Sequence, residues 1–204
     1  MVGLGNWFYP RSRENLGIYM LNRIGELSHM KWAFNKSFCA DYAAINRVVF
    51  IRPKAYQHKF MSRSVFPAAE VLEVAPRDII LLVAHTSMPV GSVASRDPSV
   101  AWGDDEKEVP AVACLMKHFD TLRARPTRHY FGVSPLDGGY SIVRTPLQAF
   151  TRNERMREEQ IQLYFKNIFG VDEKAVVDSI VDSYAHKFVN LAGGSVGESR
   201  VRSL

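Results

Sequence analysis

A run of six apolar residues at positions 79–84 most constrains how this chain can fold. A strand with one face in water alternates apolar and polar residues, but this run has no polar residue on either face. Strands that are apolar on both faces are typical of parallel sheets covered by helices on both sides. The run therefore predicts a central strand of an α/β domain, and it is too short to cross a bilayer.

The segments around this run alternate between helix-like and strand-like patterns. Their spacing predicts helices at 15–27, 62–72, 111–119, 151–169 and 172–191, and strands at 2–4, 48–51, 79–84, 130–133 and 140–143, with one or two more within 32–44. A polar loop is expected at 95–110 and a turn at 135–139. We therefore expect one α/β domain over residues 1–192 that ends in two helices, followed by a flexible tail at 193–204.

The composition is that of a globular domain and excludes several classes of protein. The chain has 204 residues, of which 47% are hydrophobic and 23% charged, and this excludes collagen-like, disordered and disulfide-scaffold proteins. Cys39 and Cys114 both lie among apolar residues, which predicts buried free thiols. The six histidines are scattered without the spacing of metal ligands. We therefore expect no metal and no other cofactor.

Positive charge is concentrated in the first third of the chain. The net charge is +5, but residues 1–65 carry ten basic and three acidic residues, whereas residues 66–115 carry three basic and eight acidic ones. A basic segment beside an acidic one suggests that one face binds a polyanion. Because +5 also fits a mildly basic protein that binds no nucleic acid, both interpretations stay open on charge alone.

Two short motifs near the N-terminus resemble the opening of one enzyme family. The chain reads VGLGN at 2–6 and SRENLG at 12–17, where the bacterial-type peptidyl-tRNA hydrolases read VGLGNPG and TRHNVG at the same separation. Weaker similarities follow in the same order, namely RPKAY at 52–56, PVG at 89–91, KHF at 117–119 and RHYFGVSP at 128–135. The resemblance spans about residues 2–170 and implies a peptidyl-tRNA hydrolase-like α/β fold with a mixed central sheet flanked by helices.

The resemblance also implies which positions would carry the chemistry of the family. Hydrolysis of the ester between a peptide and tRNA needs an imidazole to activate water, a carboxylate to orient it, and amides to stabilise the oxyanion. The corresponding positions here are Asn6, Glu14, His58, Ala84 and Pro110. Only Asn6 keeps the residue type of the family, since Glu14 replaces the catalytic histidine and Ala84 its aspartate. We therefore expect no catalytic residues at this site.

The polar residues near these positions leave alternatives open. Either Glu14 and His58 form a dyad in which the carboxylate and the imidazole have exchanged positions, or they are polar residues that fill a former active-site cleft. The amide of Asn6 either binds a ribose or peptide group or caps a turn, and Asn15 is expected to cap the following helix. The acidic residues 104–106 are expected to repel an RNA 3′ end, or else to form a solvated loop.

Basic residues around the cleft grip tRNA phosphates in this family, so the resemblance implies RNA contacts here as well. The candidate RNA-binding residues are Arg11, Arg13, Lys54, Lys59, Arg123, Arg125 and Arg128. The aromatic residues Trp7, Phe8 and Tyr9 follow Asn6 and are expected to stack on bases, to anchor a protein partner, or to cover the core.

We predict a catalytically inactive, peptidyl-tRNA hydrolase-like protein that serves as a structural component or assembly factor of the mitochondrial large ribosomal subunit. Its expected partners are rRNA or tRNA-like RNA and ribosomal or assembly proteins, without a membrane. Because a strand begins almost at Met1, we expect an upstream leader and a location in the matrix, or otherwise in the cytoplasm. The alternatives are an active hydrolase with a rearranged site, an organellar RNA-splicing or maturation cofactor, and a protein-binding module without RNA contact.

Overall fold

Seven strands form one mixed sheet in a computed structural model that describes residues 1–7, 13–55, 58–134 and 171–193. The strands are β1 (Val2–Gly3), β2 (Ala33–Asn35), β3 (Ala40–Ile45), β4 (Val48–Pro53), β5 (Ile80–Pro89), β6 (Val93–Arg96) and β7 (Thr127–Ser134). The helices are α1 (Leu16–Leu27), α2 (Ser62–Val71), α3 (Asp104–Lys107), α4 (Pro110–Thr121) and α5 (Val171–Leu191). The spatial order of the strands is β2-β3-β4-β1-β5-β7-β6.

The four inner strands β4, β1, β5 and β7 run parallel, and the outer strands are antiparallel to their neighbours. Val2 of β1 pairs with Ile51 on one side and with Leu81 on the other, which places β1 in the middle of the sheet with β5 beside it. The expected mixed sheet flanked by helices is therefore confirmed.

Strand β5 is covered on both faces, as its apolar run predicts. Leu82 and Ala84 belong to a core that includes Met20 of α1 and Phe188 of α5. Leu81 and Val83, which point to the other face, pack in a second core with residues of α2 and α4. Leu81, Leu82 and Val83 are at most 1% exposed. The chain thus has three layers, with the sheet between two pairs of helices.

Helix α1 lies unusually close to the sheet because glycine occupies its first turn. A Cβ at Gly17 would lie 2.2 Å from the Leu82 carbonyl oxygen and 2.7 Å from that of Leu4. A Cβ at Gly5 would lie 2.3 Å from Asn15 Oδ1. The glycines of the N-terminal motifs therefore allow β1 and α1 to approach each other, which brings the loop after β1 against the turn that precedes α1.

Several local expectations need correction. The segment predicted as a polar loop contains the end of β6 and helix α3, because Glu106 is fully buried and binds within the fold. Cys39 is exposed, because it lies in the turn between β2 and β3 with a φ of 46°, whereas Cys114 is partly buried. Asn15 makes no side-chain cap on α1 and binds the loop after β1 instead.

The remaining helix and strand predictions agree with the structure where it describes the chain. The region 32–44 forms two strands, and α2 continues through Pro67. The second of the two predicted C-terminal helices is α5; the first, at 151–169, lies outside the described residues, as do the turn at 135–139, the strand at 140–143 and the tail from 194 onward. Across the described ranges, no helix has both the length and the hydropathy that a membrane crossing requires.

Candidate functional site

The family-equivalent positions meet at the carboxyl ends of the parallel strands, where ligands bind in open α/β sheets. Asn6 follows β1, and the short turn Arg13–Asn15 carries Glu14 into the same region. His58 begins the turn His58–Phe60 after β4, while Ala84 lies within β5. Pro110 is the first residue of α4, a position where its missing N–H costs no helical hydrogen bond.

Glu14 and His58 are bonded to each other across this region. Glu14 Oε2 lies 2.8 Å from His58 Nε2, although the two residues are 44 positions apart in the chain. The side chains are 28% and 16% exposed, respectively. The pairing that the sequence left open is therefore formed.

The other ring nitrogen of His58 decides what this pair can do. When Nε2–H donates to the carboxylate of Glu14, Nδ1 is the nitrogen left to accept a proton. Nδ1 is buried and has no hydrogen-bond partner in the part of the chain that the structure describes. A general base must reach the proton that it abstracts, directly or through one water. In this conformation the accepting nitrogen of His58 does not reach solvent.

A small pocket adjoins the pair and has mostly apolar walls. It is lined by Leu4, Glu14, His58, Val83, Ala84, Thr86, Val109, Pro110 and Ala111. Ala84 and Pro110 contribute no polar side-chain atom, so the walls provide neither a carboxylate beside Ala84 nor an amide beside Pro110. Thr86 was missed from the sequence, although a residue two positions after Ala84 on a strand shares its face.

Asn6 is held in place by Asn15. The Asn6 N–H donates to Asn15 Oδ1 at 2.5 Å, and Asn15 Nδ2 donates to the Asn6 carbonyl oxygen at 3.2 Å. Asn6 itself is only 6% exposed. The two asparagines therefore join the loop after β1 to the turn before α1. This gives one residue of each N-terminal motif a structural role in this chain.

The candidate RNA-binding residues divide between the two ends of the sheet. Arg13, Lys54 and Lys59 lie at the carboxyl end, beside the Glu14–His58 pair. Arg123 and Arg125 precede Thr127, which pairs with Ile80 at the amino end of β5. Ala84 is four residues further along β5, so roughly 13 Å separate the two ends at about 3.3 Å per residue. Arg123 and Arg125 therefore lie at the end of the sheet opposite the Glu14–His58 pair.

The basic residues at the carboxyl end differ in their freedom to bind phosphate. Lys59 is exposed. Arg13 Nη1 donates to the Val133 carbonyl oxygen at 3.1 Å, and Lys54 Nζ lies 2.9 Å from Asp41 Oδ1. Arg11, like Phe8 and Tyr9, lies outside the described residues. Lys59 is therefore the best placed of the described candidates at this end.

Arg128 must be removed from the RNA-binding residues. It is fully buried, and its Nε lies 2.9 Å from Glu106 Oε1. The remaining guanidinium donors bind backbone carbonyl oxygens, including those of Asp97 and Val100. Of its two neighbours in the cluster, Arg123 is exposed and Arg125 is partly buried. Arg128 anchors the segment 97–101 instead of binding a ligand.

Glu106 is likewise a structural residue. Burial raises the pKa of its carboxyl group, but hydrogen bonds from Arg128, Tyr130 and the Gly103 N–H outweigh this and hold the pKa below its ordinary value. Of the three acidic residues expected to repel RNA, only Asp104 and Asp105 therefore face solvent. No group of three or more His, Cys, Asp or Glu side chains suited to a metal occurs among the described residues.

Comparison with known proteins agrees with the fold. A peptidyl-tRNA hydrolase of Desulfitobacterium hafniense is 23% identical over 167 residues, covering 79% of this chain and 85% of that protein. A peptidyl-tRNA hydrolase of Methylocella silvestris is 32% identical over 98 residues, covering 46% of this chain and 50% of that protein. No family model matches the chain.

Solved structures show the same fold at lower identity. Peptidyl-tRNA hydrolase from Acinetobacter baumannii superimposes with a TM-score of 0.65 at 14% identity, covering 94% of this chain and 87% of that structure. A peptidyl-tRNA hydrolase in complex with N-propanol gives a TM-score of 0.66 at 16% identity, covering 96% of this chain and 88% of that one. The chain is thus similar in sequence to peptidyl-tRNA hydrolases and has their fold.

Proposed function

We propose that this chain is a non-hydrolytic relative of the peptidyl-tRNA hydrolases that binds RNA, as a structural component or assembly factor of the mitochondrial large ribosomal subunit. The observation that carries the loss of hydrolysis is the closed Glu14–His58 pair. The carboxylate of Glu14 is bonded to Nε2 of His58. The other ring nitrogen of His58, Nδ1, is buried without a partner among the described residues.

The chemistry of ester hydrolysis explains why such a pair is insufficient. A positioned general base contributes about 10²- to 10⁴-fold to the rate, and a single oxyanion donor about 10²- to 10³-fold. The contribution of a general base is lost because Nδ1 of His58 is buried. The contribution of an oxyanion donor is lost because Pro110 has no side-chain amide and Asn6 is only 6% exposed. Together the two losses predict a rate about 10⁴- to 10⁷-fold below that of a hydrolase that has both groups.

RNA binding is supported by the charge of the N-terminal third of the chain and by the position of Lys59. Phosphate contacts require cations that reach solvent, and they do not require the catalytic groups. Lys59 is exposed next to His58, at the end of the sheet where the pocket opens. The related enzymes are named for peptidyl-tRNA, a ligand that is mostly RNA. In this proposal, the chain has therefore kept RNA binding and lost hydrolysis.

The ribosomal and mitochondrial setting is the finer part of the proposal. It is supported by the relationship to enzymes named for peptidyl-tRNA, by the basic N-terminal segment and by the extent of sequence divergence. Purification of the native protein from isolated mitochondria, followed by sequencing of the associated RNA, tests it. We expect enrichment of large-subunit rRNA. Enrichment of intron-containing RNA would instead support the splicing or maturation alternative, and absence of RNA a protein-binding module.

Hydrolysis is tested directly with purified protein and peptidyl-tRNA. We expect no release of peptide above the rate without protein. Turnover that disappears in both His58→Ala and Glu14→Gln would establish the second candidate, an active hydrolase with exchanged roles, which the 2.8 Å contact favours. Cys114→Ser serves as a matched control, because the hydrogen bonds described for Cys114 Sγ go to backbone atoms, among them the carbonyl oxygens of His58 and Ala111.

A further inference from the structure

Two exposed aromatic rings bracket one lysine at the edge of the sheet. Lys54 Nζ lies 5.0 Å from the centroid of the Trp7 ring and 4.9 Å from that of the Phe34 ring. Trp7 is 37% exposed and Phe34 is 50% exposed. We call these three residues the Trp7–Lys54–Phe34 stack. Large aromatic rings that remain exposed in this way need an explanation, because burial of their surface would otherwise be favourable.

Ion pairs around Asp41 hold the lysine of the stack in position. Lys54 Nζ lies 2.9 Å from Asp41, which is only 8% exposed and also pairs with Arg52 at 3.4 Å. Arg52 in turn lies 3.7 Å above the ring of Trp32. The backbone of Trp7 is fixed separately, since its N–H donates to the Ala55 carbonyl oxygen at 3.3 Å. The lysine is thus ordered in the free protein, and the rings that it contacts are partly preorganised for a ligand.

The positive charge around the rings decides which ligand fits them. Protein interfaces enrich aromatic residues but are depleted of lysine, whereas single-stranded nucleic acids are bound by aromatic platforms beside cations. Lysine lies at the centre of this stack, and the exposed Lys36 occupies the turn next to it, whose Cys39 carbonyl oxygen accepts from the Lys54 N–H at 3.0 Å. The combination favours nucleobases over an apolar protein surface.

We propose that Trp7 and Phe34 stack on unpaired bases of a single-stranded RNA segment, with Lys36 and Lys54 next to its phosphates. The proposal rests on RNA binding as the function of the chain, and it names the form of RNA and the surface that binds it. Lys54 follows directly after the end of β4, a few residues before His58. A strand bound there lies at the same end of the sheet as the Glu14–His58 pair.

The test measures binding of a fluorescein-labelled polyuridine oligonucleotide by anisotropy at low salt. The Trp7→Ala/Phe34→Ala double variant is expected to bind at least about tenfold more weakly than the wild type, in line with the loss of stacked bases. Leu122→Ala is the matched control, because Leu122 is 48% exposed but follows α4, near the amino end of β7. A thermal melt of each variant checks that the fold persists, and Trp7→Phe/Phe34→Tyr is expected to restore most of the affinity.

A second readout follows the indole directly. Stacking of a base on Trp7 quenches its fluorescence, so titration with the oligonucleotide should quench the wild type more than Trp7→Phe. Wild-type affinity of the double variant for the oligonucleotide would overturn the inference. Loss of a protein partner in that variant, with RNA affinity intact, would overturn it as well. Binding of structured rRNA but not of polyuridine would overturn this inference and leave the proposed function standing. Binding of neither RNA would overturn both.

Discussion

Arg128 and Glu106 form an ion pair that is closed to solvent. Arg128 Nε lies 2.9 Å from Glu106 Oε1, and neither side chain has any exposed surface. Removing one partner of such a pair leaves a buried charge without compensation, which typically costs about 3–5 kcal/mol. Glu106→Gln is therefore expected to lower the free energy of unfolding by about that amount in urea denaturation.

Lys107→Ala provides the control for that prediction. Lys107 pairs with Asp104 on the same short helix, but both side chains are largely exposed. Exposed pairs are screened by water and salt, so no measurable change in stability is expected. A Glu106→Gln variant as stable as Lys107→Ala would show that the buried pair is not needed for the fold.

The Arg128–Glu106 pair also shows where sequence reasoning stops. A continuous apolar run predicts β5, and apolar residues at helical spacing predict α1, α4 and α5, because both patterns are local in the sequence. Arg128 and Glu106 are 22 residues apart, and nothing local distinguishes a buried charged residue from a solvated one. The sequence therefore predicts that Arg128 contacts RNA and that Glu106 lies in a loop that repels RNA, whereas both residues are buried.

The candidate site was predictable in part for the same reason. The motif resemblance located Glu14 and His58, and their pairing was foreseen as an alternative. The burial of His58 Nδ1 depends on how the turn His58–Phe60 packs, which no spacing in the sequence specifies. The position of Arg123 at the other end of the sheet depends on the register in which Ile80 pairs with Thr127.

Stability is expected to fall below about pH 6.5 because the buried His85 and the partly buried His129 resist protonation in the folded chain. Burial lowers the pKa of His85 despite the nearby carboxylates of Asp105, Glu108 and Glu106, and burial together with Lys187 lowers the pKa of His129. Below pH 6.5, the ordinary pKa of histidine, the unfolded chain takes up protons that the folded chain does not. Protonation therefore favours the unfolded state as the pH falls.

The measurement is the urea midpoint at a series of pH values from neutral to about pH 5.5. His85→Phe should flatten the profile, since it removes one of the two titrating groups. The slope is the relevant readout, because the Ser87 N–H also loses the His85 Nδ1 acceptor and the absolute stability changes. An unchanged slope would mean that protonation of His85 does not contribute.

Gly17→Ala should destabilise the chain by about 1–3 kcal/mol, the usual cost of overpacking. The new Cβ would lie 2.2 Å from the backbone oxygen of Leu82, which cannot move without shifting β5. Gly25→Ala is the comparison within the same helix, where the nearest atom is Nε1 of the Trp32 side chain at 2.8 Å and alanine improves helix propensity. Thermal unfolding of both variants should show the larger loss for Gly17→Ala, and equal losses would contradict the close-approach argument.

Lys59 and Arg123 offer a test of which end of the sheet faces RNA. Each is exposed, and replacing either with alanine removes one positive charge, so the two variants have the same net charge. Lys59 lies beside His58 at the carboxyl end, whereas Arg123 lies before β7 at the amino end. If RNA occupies the carboxyl end, Lys59→Ala should weaken binding and reduce the slope of log K against log salt by about one. Filter binding over a range of salt concentrations should show little change for Arg123→Ala. The opposite ranking would place the RNA at the amino end and separate RNA binding from the region of the Glu14–His58 pair.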